Sequence, residues 1–299
     1  MKNIADLKDD SETVIYVLIK KKKEIERDLF QGYWKNVHGP VCARLPGLNS
    51  YYQFHLEDIN SAWLFKNGEK DALPKEDYFD GIAELVFLSA KDSQVWMNAS
   101  GEILQSDENN FASKAIIYVT NEGNSRTYVD RINFAAPNGD LDVIKLHILV
   151  RKSEKTTVKD FRQYMTDTFT SSSIESNLVV KFRLHLFEEY DNSLESSDDI
   201  SYYEPSNKQY QAAFEIAFKN YVDLENFFSS PEYTNAVKNQ KDYIKEVTVF
   251  TEQNTYAFVR DSQVTLAGQR SSTAAEIITK LDATNQTKDR ITELMLNKY

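Results

Sequence analysis

The sequence is poor in several residue types, and each shortage excludes a class of protein. Its one cysteine, Cys42, allows no disulfide within the chain and no zinc site built on thiolates. Only 9 glycines and 6 prolines occur in 299 residues, and neither a glycine-rich phosphate loop nor a dinucleotide-binding fingerprint is present. We therefore expect no nucleotide cofactor.

Positive charge and long apolar runs are also missing. Lys and Arg number 35 against 46 Asp and Glu, for a formal net charge of -11, and the basic run 20–23 is followed at once by acidic residues. A nucleic-acid partner needs a broad basic surface, so we expect none. No apolar run is long enough for a signal peptide or a membrane span. These observations predict a cytoplasmic protein without a membrane partner.

Aromatic residues, by contrast, are plentiful. The chain has 17 Tyr and 17 Phe among 41% hydrophobic residues. Such a composition is typical of a folded globular protein rather than a disordered one. Large rings can fill a core or line a pocket for an apolar or aromatic ligand.

Three segments of the chain recur at a nearly constant offset of 130 or 131 residues. They are 30–34 with 161–165, 52–56 with 182–186, and 79–87 with 210–218. Such self-similarity predicts two homologous domains, 12–132 and 142–262, joined by a turn-rich linker at 136–139. An amphipathic helical tail, 268–299, follows them and is expected to dock on the body, with a homodimer contact as the alternative.

Each predicted domain has the order β-α-β-β-α-β, which is the ferredoxin-like unit of the α+β class. Its sheet carries helices on one face only, so we expect the two bare faces to pack together as a barrel, a pseudo-dimer within one chain. The first helix is predicted at 24–45, with a kink or an end at Gly39 because Pro40 disfavours helix there. Polar loops are predicted at 66–77 and 192–209.

A family resemblance lies in the first domain. The segment 30–48 reads FQGYWKNVHGPVCARLPGL, and 78–84 reads YFDGIAE. An aromatic-Trp pair, His-x-Pro and then Arg-Leu-Pro-Gly before a strand resemble the EthD family. The resemblance implies the dimeric α/β-barrel superfamily of small-molecule enzymes, which share a pocket between helices and sheet but no single chemistry.

His38 is the first catalytic candidate, since imidazole can give or take a proton near neutral pH. Tyr33 could supply a hydroxyl group, and Trp34 could form a wall for the substrate. The alternative is that His38 only shapes the turn. In the second domain Phe169 stands at the position of His38 and Met165 at that of Trp34, so any histidine chemistry is expected in the first domain alone.

Three further residues are predicted to contact the substrate: Arg44, His55 and Glu84. His55 is expected to face Glu84 across neighbouring strands, as His185 would face Glu215 in the second domain. The alternative is that both pairs are inert polar contacts inside the barrel.

Metal binding is not expected, because the four histidines show no ligand spacing such as His-x-x-x-His. Haem ligation by one histidine is the minority alternative. The resulting prediction is a cofactor-independent enzyme that cyclises, dehydrates or isomerises a small apolar or aromatic, polyketide-like molecule. Two alternatives stay open: a cofactor-free oxidoreductase or monooxygenase of the same fold, and a non-catalytic small-molecule-binding protein.

Overall fold

A computed structural model describes residues 13–57, 78–132, 136–197 and 199–295. The predicted loop 66–77 lies outside these residues. The strands are β1 (Thr13–Lys21), β2 (Ser50–Leu56), β3 (Gly81–Phe87), β4 (Ala112–Thr120), β5 (Ser125–Asp130), β6 (Asn138–Gly139), β7 (Ile144–Lys152), β8 (Val179–Leu186), β9 (Ala212–Phe218), β10 (Ile244–Arg260) and β11 (Gln263–Val264).

Both halves of the chain build the same antiparallel sheet. The first half has the order β4-β1-β3-β2, and the second has β10-β7-β9-β8. Strand β1 shows why: Ile15, Val17 and Ile19 pack under helices, whereas Tyr16 and Leu18 point to the other face. This α+β architecture confirms the predicted fold class.

The two sheets join into one closed surface. The first part of β10 pairs with β7 and its last part with β2, while β5 continues from β4 and pairs with β8. The Glu188 N–H donates to the Val119 carbonyl over 2.9 Å at this second seam. One core cluster draws on both halves, with Leu18 and Phe54 packed among residues that include Leu149 and Phe250. The bare faces therefore meet, as predicted.

Helices cover the outside of each sheet. They are α1 (Arg27–Tyr33), α2 (Gly39–Ala43), α3 (Ala90–Glu108), α4 (Val158–Gln163), α5 (Ser171–Ile174), α6 (Tyr221–Phe228), α7 (Pro231–Ala236), α8 (Gln240–Tyr243), α9 (Leu266–Arg270), α10 (Ser272–Lys280) and α11 (Asp289–Met295), with single-turn 3₁₀ segments at Ser206–Lys208 and Thr284–Thr287. Among the described residues, no helix combines the length and apolar character needed to cross a membrane.

Of the kink or end predicted at Gly39, the end does not occur, because the helix continues through that residue. A π-helical stretch, Trp34–His38, links α1 to α2, and Gly39 keeps helical dihedrals (φ -53°, ψ -53°). The second half has a π stretch too, Tyr164–Thr170, in a segment without proline. The π turn therefore belongs to the architecture rather than to Pro40.

The C-terminal tail is divided into the short helices α9, α10 and α11 rather than one long helix. It packs on the segment that carries His38: the Thr273 N–H donates to the Asn36 side chain over 2.9 Å. The predicted linker also takes part in structure, because Asn138 and Gly139 pair with β10.

Candidate active site

The π turn places two of the predicted catalytic side chains together. Tyr33 and His38 are five residues apart. Residues with this spacing lie on different sides of an α-helix but on nearly the same side of a π turn. Both side chains face the C-terminal end of α3. The first predicted domain thus brings Tyr33 and His38 to one place.

Asp107, in the last turn of α3, joins these two residues. Its carboxylate accepts a hydrogen bond from His38 Nδ1 over 2.8 Å and one from the Tyr33 hydroxyl over 2.5 Å. His38 is almost fully buried at 4% exposure, whereas the Asp107 side chain keeps 17%. We call Tyr33, His38 and Asp107 the α3-end site.

The electrostatics of the α3-end site assign a role to each group. Burial raises the pKa of Asp107, but the hydrogen bonds from His38 and Tyr33 outweigh it and hold that pKa below its usual value. An ionised Asp107 can only accept, so His38 Nδ1 carries a proton and donates it to the carboxylate. Burial, with the hydrogen bond to Asp107, raises the pKa of Tyr33 to about 12, so Tyr33 is a donor at neutral pH.

Trp34 and His55 form a stacked pair on the sheet. Their ring centroids are 4.6 Å apart, and Trp34 lies over Gly81, where a Cβ atom would come within 2.2 Å of the indole. Burial, with the charges of Lys35 and Arg27, lowers the pKa of His55 well below its usual value. His55 is therefore neutral and belongs to the apolar layer between helices and sheet.

The predicted His55–Glu84 contact is wrong. In the β2–β3 ladder Tyr52 lies opposite Glu84, and His55 lies opposite Gly81. Because side chains alternate along a strand, His55 points to the helices and Glu84 into the barrel. The 52–56 match used an offset of 130 where the rest of the chain keeps 131, and this one-residue slip reverses the face.

Glu84 instead forms a buried ion pair with the second half. Arg183 donates to Glu84 Oε1 from Nε over 2.8 Å and from Nη2 over 2.7 Å. His185 Nε2 lies 3.9 Å from the same oxygen atom. His185 and Glu215 share the barrel face, as their strand register requires, but the carboxylate 3.9 Å from His185 Nε2 is that of Glu84, from the other half.

A second ionic cluster lies deeper in the barrel. Lys145 Nζ bridges Glu215 Oε1 at 2.9 Å and Glu252 Oε2 at 2.7 Å, and His147 Nε2 lies 2.8 Å from Glu252 Oε2. The Tyr16 hydroxyl, from the position equivalent to His147, is 3.3 Å from His147 Nδ1. The oxygen and nitrogen atoms of His147, Glu215 and Glu252 are close enough to hold a metal ion. The Lys145 ammonium already supplies positive charge there, so these residues do not fit a metal.

Arg44, predicted to bind substrate, binds backbone carbonyls. Its guanidinium donates to Pro40 O over 2.7 Å, to Gly268 O over 2.9 Å and to Gln269 O over 2.7 Å. Its contacts join the end of α2 to the tail.

An open cleft of about 360 Å³ lies beside α1, where Arg27, Asp28 and Gln31 face Glu57 and Gln253. Its lining is polar and charged. Gln31 is seven residues before His38, about two helical turns away. None of the residues lining the cleft belongs to the α3-end site.

Sequence reasoning missed Asp107, Arg183 and Lys145. One signal for Asp107 exists: it and Glu108 end a helix, where the helix dipole disfavours acidic groups. Arg183 and Lys145 give no such signal, because charged residues at alternating strand positions also suit a solvated face.

The comparisons with known proteins concern the first half of the chain and the fold. Residues 22–115 match the family model of the EthD domain, a stretch that holds Tyr33, His38 and Asp107. The EthD resemblance is thereby confirmed for the first half. No curated protein is similar enough in sequence to count as a relative.

Two solved structures share the fold over most of both chains. One is a candidate monooxygenase from Fusobacterium nucleatum subsp. nucleatum, with 8% identity and a TM-score of 0.51 over 83% of this chain and 94% of its own. The other is an anthrone oxidase-like protein, with 9% identity and a TM-score of 0.52 over 84% of this chain and 94% of its own. At such identities the likeness extends to the fold alone.

Proposed function

We propose that this protein is a small-molecule enzyme in which His38 is the general acid/base. The observation that carries the proposal is the double hydrogen bond at Asp107, from His38 Nδ1 and from the Tyr33 hydroxyl. A carboxylate on one imidazole nitrogen fixes the tautomer and leaves the other nitrogen free to accept a proton. Among the described residues, His38 makes its hydrogen bond through Nδ1, to Asp107.

The reaction we propose is a proton transfer without redox change. His38 Nε2 accepts a proton from an acidic C–H or O–H group of the substrate and returns it to another atom of the same molecule, or to a leaving hydroxyl group. Cyclisation, dehydration and isomerisation all have this form. The Tyr33 hydroxyl donates its one proton to Asp107, so its role in this proposal is to hold the carboxylate that orients His38.

The aromatic surroundings support an apolar or aromatic, polyketide-like substrate. Phe111 lies edge-on to the His38 ring at 5.2 Å and 5.5 Å from the ring of Tyr33. Tyr33 and Asp107 keep some exposure, so the site can be reached from solvent. Trp34, which we predict to contact the substrate, belongs to the same aromatic layer, since its ring stacks on that of Phe30 with the centroids 5.6 Å apart.

An oxygen-dependent reaction is the second candidate. The printed names of the two similar structures refer to a monooxygenase and an anthrone oxidase-like protein. An activated phenol or anthrone anion, formed by the same His38 base, could then react with dioxygen. Dioxygen would be the oxidant: one of its oxygen atoms becomes the new carbonyl oxygen, and the other leaves as water with the two hydrogen atoms lost from the oxidised carbon.

Product analysis tests these proposals. The protein is incubated with a panel of aromatic polyketides and anthrones under air and under nitrogen, beside the variants His38→Gln and Asp107→Asn. Acid/base catalysis predicts products that form equally in both atmospheres and are lost in the variants. Products that require air favour the second candidate. Turnover that both variants retain would contradict a role for His38, and ligand binding without turnover would favour a binding protein.

A further inference from the structure

The stacked rings of Trp34 and His55, which we call the ring pair, carry two buried nitrogen atoms without a hydrogen-bond partner among the described residues. These atoms are Trp34 Nε1 and His55 Nδ1, and both side chains are fully buried. A buried polar atom that makes no hydrogen bond lowers stability, and a bound molecule can remove that cost. Because the ring centroids are only 4.6 Å apart, one small group of a ligand can lie against both rings.

Gln53 determines which nitrogen of His55 carries the proton. The Gln53 side-chain nitrogen donates to the Trp34 carbonyl over 3.0 Å, so the other atom of that amide is its oxygen, an acceptor. His55 Nε2 lies 3.3 Å from this oxygen and therefore donates to it. Burial lowers the pKa of His55 well below its usual value, so the ring is neutral and Nδ1 has the free electron pair. The ring pair thus presents one donor, the indole N–H, and one acceptor, His55 Nδ1.

The second half of the chain shows that the fold does not require these polar atoms. At the offset of 131 residues, the equivalents of Trp34, Gln53 and His55 are all apolar: Met165, Leu184 and Leu186. All three are buried in the core of the second half. The same framework is therefore filled there without unpartnered nitrogen atoms. The donor and acceptor of the ring pair point to a ligand rather than to a need of the fold.

We propose that the ring pair is a subsite for one hydroxyl group of an aromatic substrate. The Trp34 indole donates to the hydroxyl oxygen, and the hydroxyl group donates its proton to His55 Nδ1. A hydroxyl group accepts and donates at once, whereas a carbonyl or ether oxygen could pair with Trp34 alone. The inference rests on the proposed function, since it takes the ligand to be the substrate, and it narrows the substrate class to phenols.

Aromatic contacts join the ring pair to the α3-end site. The Phe111 ring centroid is 5.2 Å from that of His38 and 5.8 Å from that of Phe30. Phe30 in turn stacks on Trp34, with the centroids 5.6 Å apart. The two sites therefore belong to one aromatic layer. A single substrate can place its hydroxyl group at the ring pair and an acidic hydrogen at His38.

The open cleft beside α1 borders the ring pair. Arg27, in the lining of the cleft, donates to the carbonyl of Leu56, the residue after His55. Gln31, also in the lining, lies about one helical turn before Trp34. Since both rings are covered in the free protein, a ligand that enters from this cleft has to move these side chains aside.

Matched naphthalene derivatives test the subsite by calorimetry. The ligands 1-naphthol, 1-methoxynaphthalene and naphthalene share one ring system, and only 1-naphthol can donate a hydrogen bond. We expect 1-naphthol to bind about tenfold more tightly than its methyl ether. His55→Phe keeps a ring but removes the acceptor, so it should abolish this preference. Trp34→Phe removes the donor, so it should weaken both oxygen-bearing ligands and leave naphthalene binding unchanged.

Trp96→Phe is the matched control. Trp96 Nε1 is also buried and unpartnered among the described residues, but its ring packs against Phe87 and not against a histidine. This variant should bind all three ligands like wild type. Equal affinity for 1-naphthol and its ether in wild type, no binding of 1-naphthol, or an equal loss in Trp96→Phe would overturn the inference.

Nitrogen NMR gives a readout that needs no variant, because only four histidines contribute side-chain signals. The His55 Nδ1 signal should shift when 1-naphthol is added and stay in place with 1-methoxynaphthalene, since only 1-naphthol donates to it. A buried water molecule has the same hydroxyl chemistry. If water alone fills the subsite, Nδ1 is already hydrogen-bonded in the free protein and responds to neither ligand, which would contradict the proposal.

Binding and catalysis are measured separately, so the two proposals can fail separately. His38→Gln removes the proposed acid/base and should leave the preference for 1-naphthol intact. A hydroxyl preference in a protein that turns over no phenol would support the subsite and contradict the proposed function. Turnover that depends on His38 but is equal for phenols and their methyl ethers would support the function and contradict the subsite.

Discussion

The two halves have the same backbone framework between helices and sheet, but different side chains fill it. In the first half, the π turn carries Tyr33 and His38 to Asp107. At the equivalent places in the second half, Tyr164 donates to the Ala236 carbonyl over 2.8 Å, and Phe169 packs 4.9 Å from Phe214. The second layer is sealed and apolar where the first is polar.

This difference shows which features belong to the common fold and which belong to the candidate site. Both halves have the π turn and a tyrosine at its start, so these features alone do not make a site. A histidine and a facing carboxylate distinguish the first half. Two changes, at positions 38 and 107, therefore decide where chemistry is expected, and variants at matched positions can test this.

The largest expected effect is on catalysis at His38. An acid/base residue contributes about 10²–10⁴-fold in rate, so His38→Ala should lower kcat by at least two orders of magnitude and melt near wild type. Phe169→Ala should lower the melting temperature through a cavity and leave kcat largely intact. Steady-state kinetics and thermal melts measure both, and full activity of His38→Ala would remove the proposed mechanism.

A transplanted histidine comes next. Phe169→His places an imidazole in an apolar layer without a facing carboxylate, and the free energy of unfolding should fall by about 2–4 kcal/mol. Denaturant unfolding measures this, with Phe169→Leu as the control for lost ring packing. Equal stability of the His and Leu variants would show that the second layer can hydrate or pair the imidazole.

The two halves differ in the space available for a side chain at Gly39 and at the equivalent position, Thr170. A Cβ atom at Gly39 would come within 2.4 Å of the buried Phe258 ring, so Gly39→Ala should destabilise the protein by about 1–3 kcal/mol. Thr170 is fully buried, and its hydroxyl has no partner among the described residues, so Thr170→Ala should cost little. Thermal melts of the pair would contradict the difference if both variants lost the same stability.

The smallest expected effect is the acid sensitivity of the first layer. The folded-state pKa of Asp107 is lowered, so its contribution to stability is present above the unfolded pKa, about 4, and is lost as pH falls below it. Asp107→Asn should remove about 1 kcal/mol of this acid-dependent change. Denaturant unfolding of wild type and Asp107→Asn at pH 7 and pH 3 measures this change. The barrel carboxylates are present in both proteins, so their contribution cancels in the comparison. Parallel pH curves for wild type and variant would contradict the ionised Asp107.

The strands and first helices could be predicted from sequence because their causes are local. Alternation in β1 and the side-chain cap of Thr157 on the Asp160 N–H are read within a few residues. The fold class followed from these elements and their repetition. His38 and Tyr33 were found because their residue types and spacing carry chemistry.

The remaining contacts depend on register and on distant parts of the chain. His55 was assigned to the wrong face by one residue, and no local pattern indicates that error. Asp107 meets His38 across 69 residues, and Arg183 meets Glu84 across 99. Such partners are chosen by tertiary packing, which a single sequence does not display.

The shared strand β10 has a consequence for the order of folding. Strand β2 pairs on one side with β3 and on the other with residues that follow it by roughly 200 positions. During synthesis, the first half therefore presents an unpaired strand edge until almost the whole described chain has been made. A nascent chain that stops before β10 would expose that edge to other chains, so chaperone binding at β2 is expected to end when β10 emerges.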